Sequence, residues 1–165
     1  MHIDDIKALS QQAHMEAQVR ERLFADLQCG GRKEAVCAAW ALAHLPKSDN
    51  VHIAAHQEGI VRLALTTTDS SLRRLSLALL ERLDWAVDDE SPDYCLRLLD
   101  FCLEHMMLPD EPHGVRSLCM KLAYSIARPY PELLGELRRD LLHLDSTTLS
   151  PGVRCTRKHI LDKTK

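Results

Sequence analysis

The chain has 165 residues, enough for one domain with a sizeable core, and 45% of them are hydrophobic while only 4% are aromatic. A formal net charge of −3 excludes a surface that is basic throughout, so composition gives no reason to expect nucleic acid or an anionic membrane as partner. Leucine alone contributes 28 residues, which suits helix packed on helix and disfavours sheets, where β-branched and aromatic residues are enriched.

In chain order, Ile3, Ile6, Leu9 and Ala13, then Val19, Leu23 and Leu27, fall at spacings of three and four. This predicts one helix over 3–28, or two broken near Gln12. Gly30-Gly31 stops it, because glycine enters a left-handed cap without steric cost. A helix over 32–45 turns Ala35, Ala38 and Leu42 inward, and Pro46 prevents its continuation. Asp49 or Asn50 caps a helix running to about Thr68 and interrupted at Gly59; a helix over 71–85 follows, with Leu72, Leu75, Leu79 and Leu83 inward. Ser91-Pro92 opens another, cap then proline, carrying Leu96, Leu99 and Leu103 and ending before Pro109. The segment 114–128 aligns Val115, Leu118, Cys119, Leu122 and Ile126; a helix over 131–144 follows Pro129, and Ser150-Pro151 opens the last. No segment carries a strand pattern.

A recurrence organises these elements. Arg32, Arg73, Arg116 and Arg154 each begin a helical pattern, at separations of 41, 43 and 38 residues. Periods near 40 mark helical solenoids, in which one helix pair cannot bury its own apolar face but stacked pairs can. The arginines read as structural, reaching the Asp or carbonyls of the preceding turn.

The stretch Glu58-Gly-Ile-Val-Arg-Leu-Ala-Leu-Thr-Thr-Thr-Asp69, followed by Ser70-Ser-Leu-Arg-Arg-Leu-Ser-Leu-Ala-Leu-Leu-Glu-Arg-Leu-Asp84, resembles an armadillo repeat. The other pairs, with Val-Arg near the start of the second helix, are similar to HEAT repeats. The resemblance covers about 31–161 and implies an all-α, right-handed α-α superhelix of about four helix pairs, whose later helices line a concave surface. Residues 1–30 are then one or two N-terminal capping helices, 31–161 the repeats and 162–165 a tail, all in a single domain. The polar Lys163-Thr-Lys165 end suits a cap and so a complete solenoid.

Charge is unevenly spread. Residues 84–112 hold nine acids against Arg97 alone, and from Ser146 onward there are five bases and one acid. These are either solvated loops and a frayed tail, or an acidic convex patch and a basic tail used in docking. Six cysteines without a C-x-x-C pair, and a Met1-His2-Ile3-Asp4-Asp5 start lacking a basic and apolar leader, point to the reducing cytoplasm. No apolar run approaches the ~20 residues of a membrane span.

No catalytic constellation stands out: no phosphate-cradling Gly loop, G-x-S-x-G or H-E-x-x-H is present. His52 with His56, Cys102 with His105 and Cys155 with His159 have metal-compatible spacings, but nothing supplies the third and fourth ligands, so no metal or other cofactor is expected. The di-iron deoxyhypusine hydroxylases, a HEAT-repeat family, carry repeated His-Glu dipeptides, of which this chain has none. The HEAT-like DNA alkylation-repair glycosylases are similar in architecture, and Asp84-Trp85 with Arg128 faintly resemble their site. Against it stand the acidic balance and only two Trp, since phosphate neutralisation needs several converging bases.

Superposing the repeats on their arginines shows which positions point away from the inward stripe. One outward row collects Lys33, Trp40 and His44, then Arg74, Glu81 and Trp85, then Lys121, Tyr124 and Arg128. Armadillo proteins that bind extended peptides use Trp and Asn four residues apart on their third helices; the spacing here is similar, without the Asn. Two readings stand. Either Trp40 packs on the N-terminal helix and Tyr124 on a neighbouring repeat, or both are exposed and offer stacking area beside a polar donor. Met106-Met107 likewise reads as core at a helix end, or as an adaptable contact surface.

The expectation is therefore a non-enzymatic adaptor or regulatory scaffold holding a protein or peptide partner on its concave row, with no cofactor and no membrane. A DNA-binding or repair relative is the alternative, and a structural subunit of a larger assembly the third reading.

Overall fold

The computed structural model describes residues 1–85 and 87–165. These form ten α-helices and two short 3-10 turns, with no strand among the described residues. They gather into two compact units, Met1–Leu83 and Asp84–Lys165.

The first unit opens with α1 (Ile3–Met15) and α2 (Ala17–Cys29). The break falls at Glu16, whose φ of −125° and ψ of 113° are extended, four residues beyond the predicted position. Gly30 ends α2 without a left-handed cap: its φ is −74° and ψ 166°, and no described residue has positive φ. Glycine is needed there for space instead. A Cβ on Gly30 would sit 2.5 Å from the Asp26 carbonyl oxygen, the same oxygen that accepts the Gly30 N–H at 2.9 Å.

Next come α3 (Arg32–Ala43), the short α4 (Asn50–Ala55), α5 (Gln57–Thr66) and α6 (Ser70–Glu81). The interruption between α4 and α5 is at His56, three residues before the expected Gly59. Asp49 does not cap α4 with its side chain; its carboxylate lies 2.7 Å from His14 Nδ1. Asp69 does cap α6, accepting from the Leu72 N–H at 2.9 Å. That helix stops at Glu81, four residues short of its predicted end. Helix α2 packs on α3, α5 on α6, and α3 on α6, so the unit contains two helix pairs whose second members lie side by side, with α1 packed on α2 and α3.

The second unit holds α7 (Asp93–His105), α8 (His113–Ala127), α9 (Pro131–His143) and α10 (Pro151–Lys163). Here α7 packs on α8, α9 lies against α8 and more lightly against α10, and α8 and α10 pack together as α3 and α6 do. Ser150 caps α10 ahead of Pro151 as expected, accepting from the Val153 N–H. Ser91 does not cap α7, because its hydroxyl turns back to donate to Asp88 Oδ1 at 3.0 Å. The α7 stripe is also shifted: Cys95, Leu98, Leu99 and Cys102 are buried while Leu96 is 50% exposed. Met106 is fully buried, the core residue that one reading gave it.

Arginines stitch the pairs. Arg73 donates through Nε to the Ala64 carbonyl at 3.0 Å and through Nη2 to Thr67, tying the start of α6 to the end of α5. Arg116, almost wholly buried, donates to the Met106 carbonyl at 3.0 Å, and burial lowers its pKa from the ordinary arginine value. Arg154 donates to the Ser146 and Leu149 carbonyls at 2.9 and 3.1 Å. Arg73 and Arg116 satisfy carbonyls that a helix end leaves without partners, whereas Arg154 ties α10 to the turn that precedes it. Arg32 differs, since its partner is the Asp69 carboxylate, in the turn of the following pair.

Candidate protein-binding row

Of the nine row residues named from the sequence, five lie in the first unit and four in the second. On α3, Lys33 and His44 are exposed and Trp40 is half-buried. The His44 ring lies 6.5 Å from that of Trp40, tilted by 59°, and His44 Nδ1 is 2.9 Å from the Trp40 carbonyl oxygen. Imidazole and indole therefore form one local feature at the end of α3. Between Lys33 and Trp40, the Cys37 thiol meets the Met1 thioether at 3.1 Å, so the N-terminus covers that part of the stripe.

On α6, Arg74 is exposed and Glu81 half-buried, and α3 and α6 pack together, so these five residues occur on neighbouring second helices. Beside them lies a cavity of about 390 Å³ lined by Ala43, Leu45, Lys47, Asn50, Glu81 and Arg82. Arg82 forms its wall. Its guanidinium donates to the Leu45 and Pro46 carbonyls at 2.8 and 3.0 Å, to Leu42 at 3.2 Å and to Asn50 Oδ1 at 2.9 Å. Desolvation lowers the Arg82 pKa, and the nearby Asp49 carboxylate opposes that shift. No local pattern marks this residue, because its partners lie 32 to 40 positions away.

Trp85 does not continue the row. It stands beyond the end of α6 and is only 6% exposed, so it offers neither a peptide nor a nucleobase a stacking surface. In the second unit Lys121 is exposed on α8, Tyr124 is half-buried there, and Arg128 is exposed at its C-cap. Lys163 of α10 places its Nζ 5.4 Å from the centre of the Tyr124 ring, a cation–π contact across the two helices. The structure thus gives Tyr124 a share in both readings: its ring touches the next pair and also keeps part of its surface open.

Two of the histidines with metal-like spacing are engaged elsewhere. His56 stacks on Phe24 with ring centres 4.0 Å apart and lies 3.2 Å from Glu21 Oε2. His105 stacks on Phe101 at 3.8 Å and sits 2.6 Å from Glu111 Oε2. Among the described residues no three His, Cys, Asp or Glu side chains gather in a way that could hold a metal ion. No helix there is long and apolar enough to cross a membrane.

The comparisons with known proteins agree with this architecture. A family model described as a HEAT repeat domain matches residues 1–164. No significant match is found among curated proteins or among solved structures. The family match spans nearly the whole chain, and the four helix pairs and arginine-stitched turns lie within it: the chain belongs to the HEAT repeat family.

Proposed function

We propose that this HEAT-repeat protein is a non-catalytic interaction module, an adaptor or regulatory scaffold, that holds a protein segment on the second helices of the pairs within each unit. The observation that carries the reading is the pair of partly open aromatics on those helices. Trp40 stands beside His44, and Tyr124 stands four residues before Arg128. An aromatic ring next to a polar or charged group combines contact area with directional bonding, as binding hot spots do. The row comprises Lys33, Trp40, His44, Arg74 and Glu81 in the first unit and Lys121, Tyr124 and Arg128 in the second. Six cysteines without disulfides support a reducing compartment such as the cytoplasm.

The test compares proteins captured from lysate by the full chain and by a Trp40→Ala/Tyr124→Ala variant shown by circular dichroism to remain helical. Partners bound by the wild type and lost by the folded variant support the row. Retention of every partner by the variant refutes it, and so does capture of none by the wild type.

A further inference from the structure

We propose that the segment held by the second unit is an acidic peptide, bound along the joint face of α8 and α10. The inference rests on the interaction-module reading and adds the chemistry of the partner. It starts from the separation of charge within the unit. Helix α8 contains no Asp or Glu, and α10 contains only Asp162. The acids of the unit lie largely on α7 and its flanks, among them Asp88, Glu90, Asp93, Asp100 and Glu104.

The bases on the two helices divide by occupation. Arg116, Arg154 and Arg157 donate to main-chain carbonyls and serve the fold. Lys165 pairs with Asp162 at 3.4 Å and so neutralises the one acid. Lys121, Arg128 and Lys158 are exposed and have no ion-pair partner among the described residues, while Lys163 leans on the Tyr124 ring. Ser117, Lys121, Tyr124 and Arg128 share one stripe at about 100° per residue, and the Lys163–Tyr124 contact shows that this stripe adjoins α10. The face therefore has an aromatic centre with cations beside it and no unpaired carboxylate on α8 or α10 themselves; the neighbouring helix α9 carries the acids Glu132, Glu136 and Asp140.

Spacing favours a peptide. Lys121 and Arg128 are seven residues apart, which is about 10 Å along a helix. An extended chain advances about 3.3–3.6 Å per residue, so carboxylates three positions apart reach both cations. A nucleic acid fits less well. It needs many converging bases, and the unit as a whole has 14 acids against 11 bases, so a long polyanion leaving this face meets repulsion.

The experiment titrates the full chain into three fluorescein-labelled probes and follows anisotropy. The probes are a 12-residue peptide with Glu at every third position, the same peptide with Gln, and a 12-nucleotide single-stranded DNA. The Glu peptide is expected to bind at least about tenfold tighter than the Gln peptide and the DNA, with affinity falling as salt rises. Lys121→Glu/Arg128→Glu is expected to weaken it at least about tenfold. Arg97→Glu/Arg139→Glu, an equal charge reversal at exposed sites of the same unit, is expected to change it less than about twofold. Equal binding of Glu and Gln peptides, or equal losses in the two variants, overturns the proposal. DNA binding tighter than the Glu peptide replaces the peptide with a polynucleotide and overturns it too. Should none of the probes bind while lysate partners still depend on Trp40 and Tyr124, the acidic partner fails and the interaction module stands.

Discussion

Arg82 joins more of the first unit than any other side chain described above, and removing it gives a measurable consequence. Its guanidinium spans the Leu42 carbonyl in the last turn of α3, the Leu45 and Pro46 carbonyls just beyond it and the side chain of Asn50, the first residue of α4, with the shortest bonds at 2.8 and 2.9 Å. Asn50 Nδ2 donates back to the Arg82 carbonyl at 3.1 Å, so the link is reciprocal. A hydrogen bond to a charged group contributes about 1.5–3 kcal/mol net, but the site is half-open and water can reach part of the freed carbonyls. Simple addition therefore overstates the loss. For Arg82→Ala we expect about 3 kcal/mol, including the lost packing of the aliphatic stem. Arg82→Lys keeps the charge but not the planar fork, and should lose about half as much. Urea unfolding followed at 222 nm reads this as a midpoint lowered by about 1–2 M for Arg82→Ala at unchanged slope. A double-mutant cycle with Asn50→Ala should return a coupling of about 1 kcal/mol. If Arg82→Lys unfolds at the wild-type midpoint, the fork geometry is irrelevant and the argument fails.

Three other predictions test separate parts of the structure. Gly30→Ala should destabilise by about 1–3 kcal/mol through its 2.5 Å clash with the Asp26 carbonyl, whereas Gly135→Ala, on an open face of α9, should stabilise by about 0.5–1 kcal/mol; the opposite ordering of their melting temperatures contradicts the reading. The Asp69 carboxyl is held below its usual range, first by the Leu72 N–H and also by Arg32, while burial opposes the shift. Its contribution is thus present above the unfolded value of about 3.9 and lost as pH falls through the folded one; Asp69→Ala should cost about 1 kcal/mol at pH 7, and the gap to wild type should narrow as pH falls below the unfolded value in acid-unfolding curves. Burial pushes the Cys102 thiol well up, with Cys119 adding to the shift, whereas Cys29 and Cys155 are exposed. Iodoacetamide labelling read by mass spectrometry should modify Cys29 and Cys155 in the folded protein and reach Cys102 only through the urea transition.

Helix number and pairing were legible from periodicity and punctuation, because proline, glycine and Asp-rich turns interrupt an otherwise continuous leucine pattern. The α7 register was not. Leu96-Leu99-Leu103 and Cys95-Leu98/Leu99-Cys102 satisfy the same spacing, so periodicity alone does not choose between them. The structure buries the second, since free cysteine behaves as a small apolar residue and fits a tight helix contact. The end of α6 was misplaced for a related reason: Leu83 and Trp85 extend the apolar pattern and are both buried, but after the helix has ended. The recurrent arginines were recognisable as structural from their period. Period alone cannot say whether a side chain reaches backward, as Arg73, Arg116 and Arg154 do, or forward to the next turn, as Arg32 does.

The short reach of those three arginines bears on the order in which the chain folds. Each closes a loop of only eight to ten residues, from Arg154 to Ser146, Arg73 to Ala64 and Arg116 to Met106. Loops of about ten residues close in tens of nanoseconds, far faster than separated segments meet. A helical hairpin can therefore lock its own turn before its neighbour has arrived, and the nascent chain can consolidate pair by pair as it leaves the ribosome. Arg82, which waits for residues 32 to 40 positions earlier, enters only when two hairpins dock. Hairpin closure and hairpin docking are thus assigned to different arginines, and substitutions at the two kinds of site should slow different steps of folding.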